Sequence, residues 1–223
     1  MKRFIKPVLF GILFVVFTVL VKFVDVLPVG PENSLVGFAG VNTWVHQLLG
    51  TNSYGYELTQ MFGVLALLAA AAFALLGLVQ LIKGKSLRKV DSRLLWLGLV
   101  YIIVIILYVL FEKLAINYRP VILDEGLEPS YPSTHTMLIL TIFGTAYRAS
   151  GFFIKNETTK GTVILTTIRT FCLAVMALTI VGRLLSGVHW FTDIVGGVLV
   201  SLALITLYQS LTPSTASKEA ANE

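Results

Sequence analysis

Six stretches of this 223-residue chain are each apolar for long enough to cross a bilayer: residues 7–28, 59–82, 94–112, 135–154, 163–182 and 190–211. A bilayer core takes roughly 20 consecutive apolar residues in helical form. Within lipid a helix satisfies its own backbone, whereas a lone strand does not. The runs do not alternate between apolar and polar positions. The expected fold is therefore all-α, a six-transmembrane-helix bundle over 1–211, followed by a short polar tail over 212–223, flexible and cytoplasmic. Composition supports this. Charged residues make up 13% of the chain, against roughly 25% in soluble globules, too few to coat a water-facing surface. A single cysteine, Cys172, excludes an intrachain disulfide and a cysteine-ligated metal cluster.

The first run follows Lys2, Arg3 and Lys6, as the core of a signal peptide would. No small-x-small cleavage site comes after it, so it is expected to stay as a helix. Lys22 and Asp25, three apart near its end, are placed to pair. The basic residues orient the bundle. With the N-terminus in the cytoplasm, the outer segments keep only Lys22, Lys113, Arg119 and Arg183 of the 17 Lys and Arg residues. Cytoplasmic segments of membrane proteins collect positive charge, which selects this orientation. The net charge of +5 thus reflects topology, and no nucleic-acid partner is expected. Arg169, inside the fifth run, is expected to snorkel toward the inner face. The basic loop 83–93 is a cytoplasmic linker in contact with anionic lipid. The outer stretch 29–58, apolar and aromatic around Trp44 to Leu49, suits a short interfacial helix.

Three segments fall on the outer face in this topology: KLAINYRP (Lys113 to Pro120), YPSTH (Tyr131 to His135) and RLLSGVHWFTD (Arg183 to Asp193). Each alone has a plain structural explanation. Ser133 suits a helix N-cap, and His189 and Asp193 suit a polar pair at i,i+4 on one helical face. Together they suit a phosphoryl group. Arginine forks, hydroxyls and the free N–H groups of a helix start match its oxygens. A carboxylate beside His189 would hold the tautomer that leaves the other ring nitrogen free to attack. A second imidazole, His135, would protonate the leaving group.

PSTH at 132–135 and R-x5-H-x3-D at 183–193 resemble the second and third motifs of the type 2 phosphatidic acid phosphatase family, and RP at 119–120 resembles the end of its first. The resemblance covers roughly 113–197. It implies His189 as nucleophile, Asp193 as its partner and His135 as general acid. Arg119, Arg183 and Ser133 are implied as phosphate ligands, with Thr134 and Lys113 as further candidates. It implies no metal, and no cofactor is expected. In one respect the chain departs from the family. The lysine of the first motif usually precedes the arginine by six intervening residues. Glu112 stands there, with Lys113 one place later, about 100° round a helix.

The membrane setting directs attention to lipid phosphates and diphosphates, with the headgroup at the outer interface and the tails entering laterally between helices. Phosphatidic acid, phosphatidylglycerol phosphate and isoprenoid diphosphates are candidates, undecaprenyl pyrophosphate first among them. Gly182, Gly187, Gly196 and Gly197 suit close helix approach or such an opening. Asp124, Glu125 and Glu128 would tune headgroup choice or simply solvate their loop. A lipid phosphotransferase would use the same intermediate and deliver the group to a second lipid. A small transporter is the non-enzymatic alternative, and would require charges inside the helices.

Overall fold

The computed structural model describes residues 2–123, 126–154 and 157–213. Asp124, Glu125 and the tail beyond Pro213 lie outside the described residues. The described chain forms α1 (Ile5–Phe23), α2 (Ala39–Leu49), α3 (Ser53–Gly84), α4 (Ser92–Leu114), α5 (Thr134–Phe153), α6 (Thr159–Ser186) and α7 (Phe191–Leu211). Six match the expected spans, and α2 is the short helix expected in the outer stretch. Among the described residues there is no strand, only isolated β-bridges such as Leu27 with Val36 and Tyr118 with Pro129.

The helix ends follow from local chemistry. α1 stops at Phe23, short of the expected 28, because Asp25 adopts a left-handed backbone with φ of 48°. The Asp25 carboxylate does not pair with Lys22. It accepts the Gly40 N–H at 2.7 Å and so ties the end of α1 to the start of α2. α3 begins earlier than hydropathy suggests, since Asn52 caps it by accepting the Gly55 N–H at 3.2 Å.

Packing explains which helices must be most apolar. α1 buries Pro7, Phe14 and Val21, one residue every two turns, and lays that stripe on α7. The rest of its surface is apolar and faces outward, as lipid requires. α5 is the innermost helix and packs against α3, α4, α6 and α7. Five helices are long and apolar enough to cross a membrane, namely α1, α3, α4, α6 and α7. α5 is the exception, although at 20 residues it is about 30 Å long. Its neighbours, not lipid, surround it, so Thr136, Thr141 and Thr145 can be buried there. Thr145 returns its hydroxyl proton to the Thr141 carbonyl at 2.7 Å.

Small residues draw the helices together near one end. A Cβ on Gly55 of α3 would lie 2.8 Å from the Gly182 carbonyl of α6. That approach sets Arg183 beside Tyr56 and Thr59. At the opposite end, the Arg93 and Arg148 guanidinium groups flank the Phe152 ring at 4.7 and 4.9 Å. Arg169 lies over Tyr147 at 5.1 Å, a cation–π contact in place of a free reach into the headgroups.

Candidate active site

The end of α4, the start of α5, the end of α6 and the start of α7 meet at one end of the bundle. α6 terminates at Ser186, and Gly187, with φ of 66°, turns the chain out of the helix. Val188, His189 and Trp190 follow before α7 begins. His189 therefore precedes the helix, and the expectation of His189 and Asp193 side by side on one helical face is corrected in detail. Asp193 sits in the first turn of α7 and reaches back, its Oδ2 accepting the Trp190 N–H at 3.0 Å. A carboxylate at this position of a first turn both caps the helix and favours its positive end. The fold delivers the expected pair all the same: His189 Nδ1 lies 3.6 Å from Asp193 Oδ2, with both side chains buried.

Asp193 also gathers the other segments. Its Oδ1 accepts from Asn117 Nδ2 at 3.2 Å. Its backbone carbonyl accepts the Ser133 N–H at 2.9 Å, which seats the start of α5 against the start of α7. Ser133 occupies the N-cap position, yet its hydroxyl does not cap the helix. The hydroxyl accepts from Thr136 Oγ1 at 2.9 Å, leaving its own proton to give. Just upstream, Tyr131 shares a hydrogen bond with the Thr18 hydroxyl at 2.8 Å and packs on Phe14 and Phe111. His135, in the first turn of α5, lies over Gly63 of α3. A Cβ there would be 3.4 Å from its Cδ2.

The two arginines are held differently. Arg183 is fully buried. One nitrogen, Nη1, donates to Thr59 Oγ1 at 3.3 Å, and the guanidinium stands 5.7 Å from the centre of the Tyr56 ring. Arg119 pairs with Glu128 at 2.7 Å, and its backbone N–H donates to the Glu128 carbonyl at 3.0 Å. Glu128 thus anchors Arg119. Trp190 Nε1 donates to the Tyr118 carbonyl at 2.7 Å, locking this strip onto the start of α7.

What these groups leave open is informative. Arg119 Nη1, Arg183 Nε and Nη2, His135 Nδ1 and both His189 nitrogens are buried and lack a hydrogen-bond partner. Buried polar atoms are otherwise almost always paired. Arg119 and Arg183 both act electrostatically on His135 and on His189, and His135 acts on His189, so the four groups share one space. Burial first, and then Arg183, Arg119 and His135, push the His189 pKa well below its ordinary value. The imidazole is therefore neutral at pH 7, with a lone pair to offer. A concentration of N–H donors and positive charge with orphaned valences fits a tetrahedral oxyanion.

Lys113 stands apart. It lies on the exposed last turn of α4 beside exposed Glu112, and the helix ends two residues on at left-handed Ala115. Among the described residues neither Lys113 nor Glu112 makes an ion pair. Thr134 lines a cleft between α4 and α5 with His135, Val104, Ile105, Tyr108, Met137 and Leu138. The cleft encloses about 270 Å³, and Ile105 and Tyr108 open it to the outer surface of the bundle. The glycines named from the sequence serve contact: Gly196 lies against the Tyr131 ring and Gly197 against Ser133 and Thr136.

Several residues of the arrangement escaped the sequence reading. Asn117 lies within a segment already singled out, but an amide in a loop carries no pattern of its own. Glu128 is read from the sequence as tuning headgroup choice or solvating its loop, which does not foresee its pairing with Arg119. Thr59 and Tyr56 come from α3, which bears no recognisable motif. Asn42 of α2 accepts the Thr192 N–H at 3.1 Å and donates to the Thr192 hydroxyl at 2.9 Å. It binds α2 to the start of α7.

Comparison with known proteins agrees with this geometry. No curated protein matches the chain. One solved structure is similar, the crystal structure of a transmembrane PAP2-type phosphatidylglycerolphosphate phosphatase from Bacillus subtilis. It has a TM-score of 0.63 and 16% identity, over 92% of this chain and 94% of that one. At that identity the likeness establishes the shared fold. The family model of the PAP2 superfamily matches residues 93–215, which include all three motif segments. The chain belongs to the PAP2 superfamily, and is a multi-pass membrane protein of the phosphatase kind.

Proposed function

We propose that this protein hydrolyses a lipid phosphate or diphosphate through a phosphohistidine intermediate, without a metal ion. The observation that carries this reading is the set of unpartnered buried nitrogens on Arg119, Arg183, His135 and His189. They lie beside an apolar cleft that includes His135 and opens sideways from the bundle. Anion binding by the arginines satisfies the orphaned donors, and the cleft takes the first part of a hydrocarbon tail. A divalent cation would be repelled by the same two guanidinium groups.

In this mechanism the phosphoryl oxygens lie against Arg119, Arg183 and the Ser133 hydroxyl, at the start of α5. His189 Nδ1–H faces Asp193, so Nε2 attacks phosphorus. The bond from phosphorus to the leaving oxygen breaks, and His135 supplies the proton that oxygen needs. Water then attacks the phosphohistidine, His135 takes its proton back, and inorganic phosphate leaves. Thr134 borders the path of the tail. Lys113, at the rim, attracts the anionic headgroup over a distance and makes no direct contact. The distribution of basic residues supports termini in the cytoplasm and a site at the outer face.

Phosphatidylglycerol phosphate, the substrate class in the name of the similar structure, joins phosphatidic acid and undecaprenyl pyrophosphate as candidates. The test is phosphate release by purified protein in detergent, with chelator present, across a panel of these lipids. The expected result is release from at least one of them. His189→Ala and His135→Ala should each abolish it with folding intact, and vanadate, which mimics the pentavalent transition state, should inhibit. Activity that survives either substitution would refute the assigned roles. Transfer to an added acceptor lipid in preference to water would identify the protein as a phosphotransferase.

A further inference from the structure

Asp193 is gripped by Asn117, which lies inside the first motif segment at a position the motif leaves open. An asparagine amide presents a donor and an acceptor of nearly equal size, and only its partners tell them apart. At Asn117 the partners decide. The Gly37 N–H can only donate, so Oδ1 faces Gly37, at 3.1 Å. Nδ2 therefore faces the carboxylate of Asp193, at 3.2 Å. Gly37 in turn has little freedom. Its backbone presses against the Val21 carbonyl of α1 so closely that a Cβ would overlap it. Its own carbonyl accepts from Asn42 Nδ2 at 2.7 Å. Asn117 is fully buried, so water does not compete for either bond.

A carboxylate rotates easily about its last torsion, which has only broad wells. Asp193 is fastened at both oxygens, by the Trp190 N–H on Oδ2 and by Asn117 on Oδ1, and the buried Ser130 hydroxyl also acts on the carboxylate. The first fastening belongs to the catalytic turn itself. The second comes from the strip after α4 and is anchored through Gly37 to α1 and α2. We propose that Asn117 is a positioning residue for hydrolysis: held by Gly37, it fixes the plane of the Asp193 carboxylate so that Oδ2 faces His189 Nδ1. The inference rests on the reading of His189 as nucleophile. It adds that the outer segment around Gly37 is part of the catalytic support.

The test uses the full chain in detergent and a lipid phosphate that the wild type hydrolyses. Asn117→Asp keeps the shape and replaces the donor facing Asp193 with an acceptor. Asn117→Ala removes both bonds. A hydrogen bond to a charged group supports an expected fall in kcat of about 10-fold for Asn117→Ala and about 100-fold for Asn117→Asp. KM and inhibition by inorganic phosphate should stay within about threefold, since the phosphate ligands are untouched and only the nucleophile's orientation is lost. A merely structural role would instead lower kcat, affinity for inorganic phosphate and melting temperature together. Wild-type kcat in either variant overturns the proposal. So does a matching loss of inhibition by inorganic phosphate, and so does unfolding of both variants. If the wild type itself releases no phosphate from any lipid, hydrolysis fails and this inference with it. An active wild type, an inert His189→Ala variant and unaffected Asn117 variants reject the inference alone.

Discussion

Arg183→Met should make the protein more stable and inactive at once. The guanidinium is fully buried, and its one hydrogen bond to protein runs from Nη1 to Thr59. Nε and Nη2 have no partner, and among the described residues no carboxylate pairs with it. Replacing buried ions by apolar side chains of similar volume commonly stabilises a fold by about 1–4 kcal/mol. Here the cation lacks a counter-charge, so the full sign of that effect is expected. At roughly 2–4 °C per kcal/mol for a chain of this size, the melting temperature should rise by at least about 2 °C. Two charge-assisted bonds to the phosphoryl group disappear, each worth about 1.5–3 kcal/mol. The corresponding loss in kcat/KM is about 10²- to 10⁴-fold. The assay is thermal unfolding in detergent, followed by tryptophan fluorescence, with and without vanadate. Vanadate should raise the wild-type transition and leave that of Arg183→Met unmoved. A variant that melts well below the wild type, or is stabilised equally by vanadate, would show that Arg183 holds the helices together and is not waiting for an anion.

Two further outcomes follow from the site. His189 is held well below its usual pKa by burial and by Arg183, Arg119 and His135, so the limb of the kcat/KM profile that belongs to it should lie below pH 6.5. In the unfolded chain the imidazole takes its proton near pH 6.5, above the folded value. Stability from this residue is therefore complete above pH 6.5 and declines as the pH falls below it. The decline should be smaller in His189→Asn, measured by melting at pH 7.5 and pH 5; an equal decline in both would contradict it. Ile105→Trp would fill the cleft between α4 and α5. It should raise KM about tenfold for a long-chain lipid phosphate, by loss of the buried apolar area of a few methylenes. A short, water-soluble phosphate ester should be unaffected, and equal effects on both would place the tail elsewhere.

Much of this was legible from the sequence because two different signals coincide. Apolar runs of about twenty residues locate the helices, since lipid demands both length and a satisfied backbone. Their parity places KLAINYRP, YPSTH and RLLSGVHWFTD at one end. α5 was visible by position and length even though its buried threonines lower its hydropathy. Lys22 with Asp25 was misread, because charge complementarity at spacing three does not reveal that Asp25 has left the helix to meet Gly40. The i,i+4 geometry of His189 and Asp193 was misplaced for a similar reason: Gly187 breaks the chain out of α6 just before, and α7 starts only afterwards. Asn117, Asn42 and Thr59 carried no signal at all. Each acts through partners in remote segments, and pairing of that kind is set by packing and not by spacing.

The polar character of α5 bears on how the protein is made. A segment with this many hydroxyls, a histidine and an arginine gains less by leaving the insertion machinery alone than its five companions do. It reaches its place by packing among α3, α4, α6 and α7, which accept the groups that hydrocarbon would reject. Since α5 brings His135 and Ser133, a nascent chain without α6 and α7 has neither a settled α5 nor the proposed nucleophile, His189. The proposed site is thus assembled only on completion of biogenesis, when the last two spans have closed around the central one.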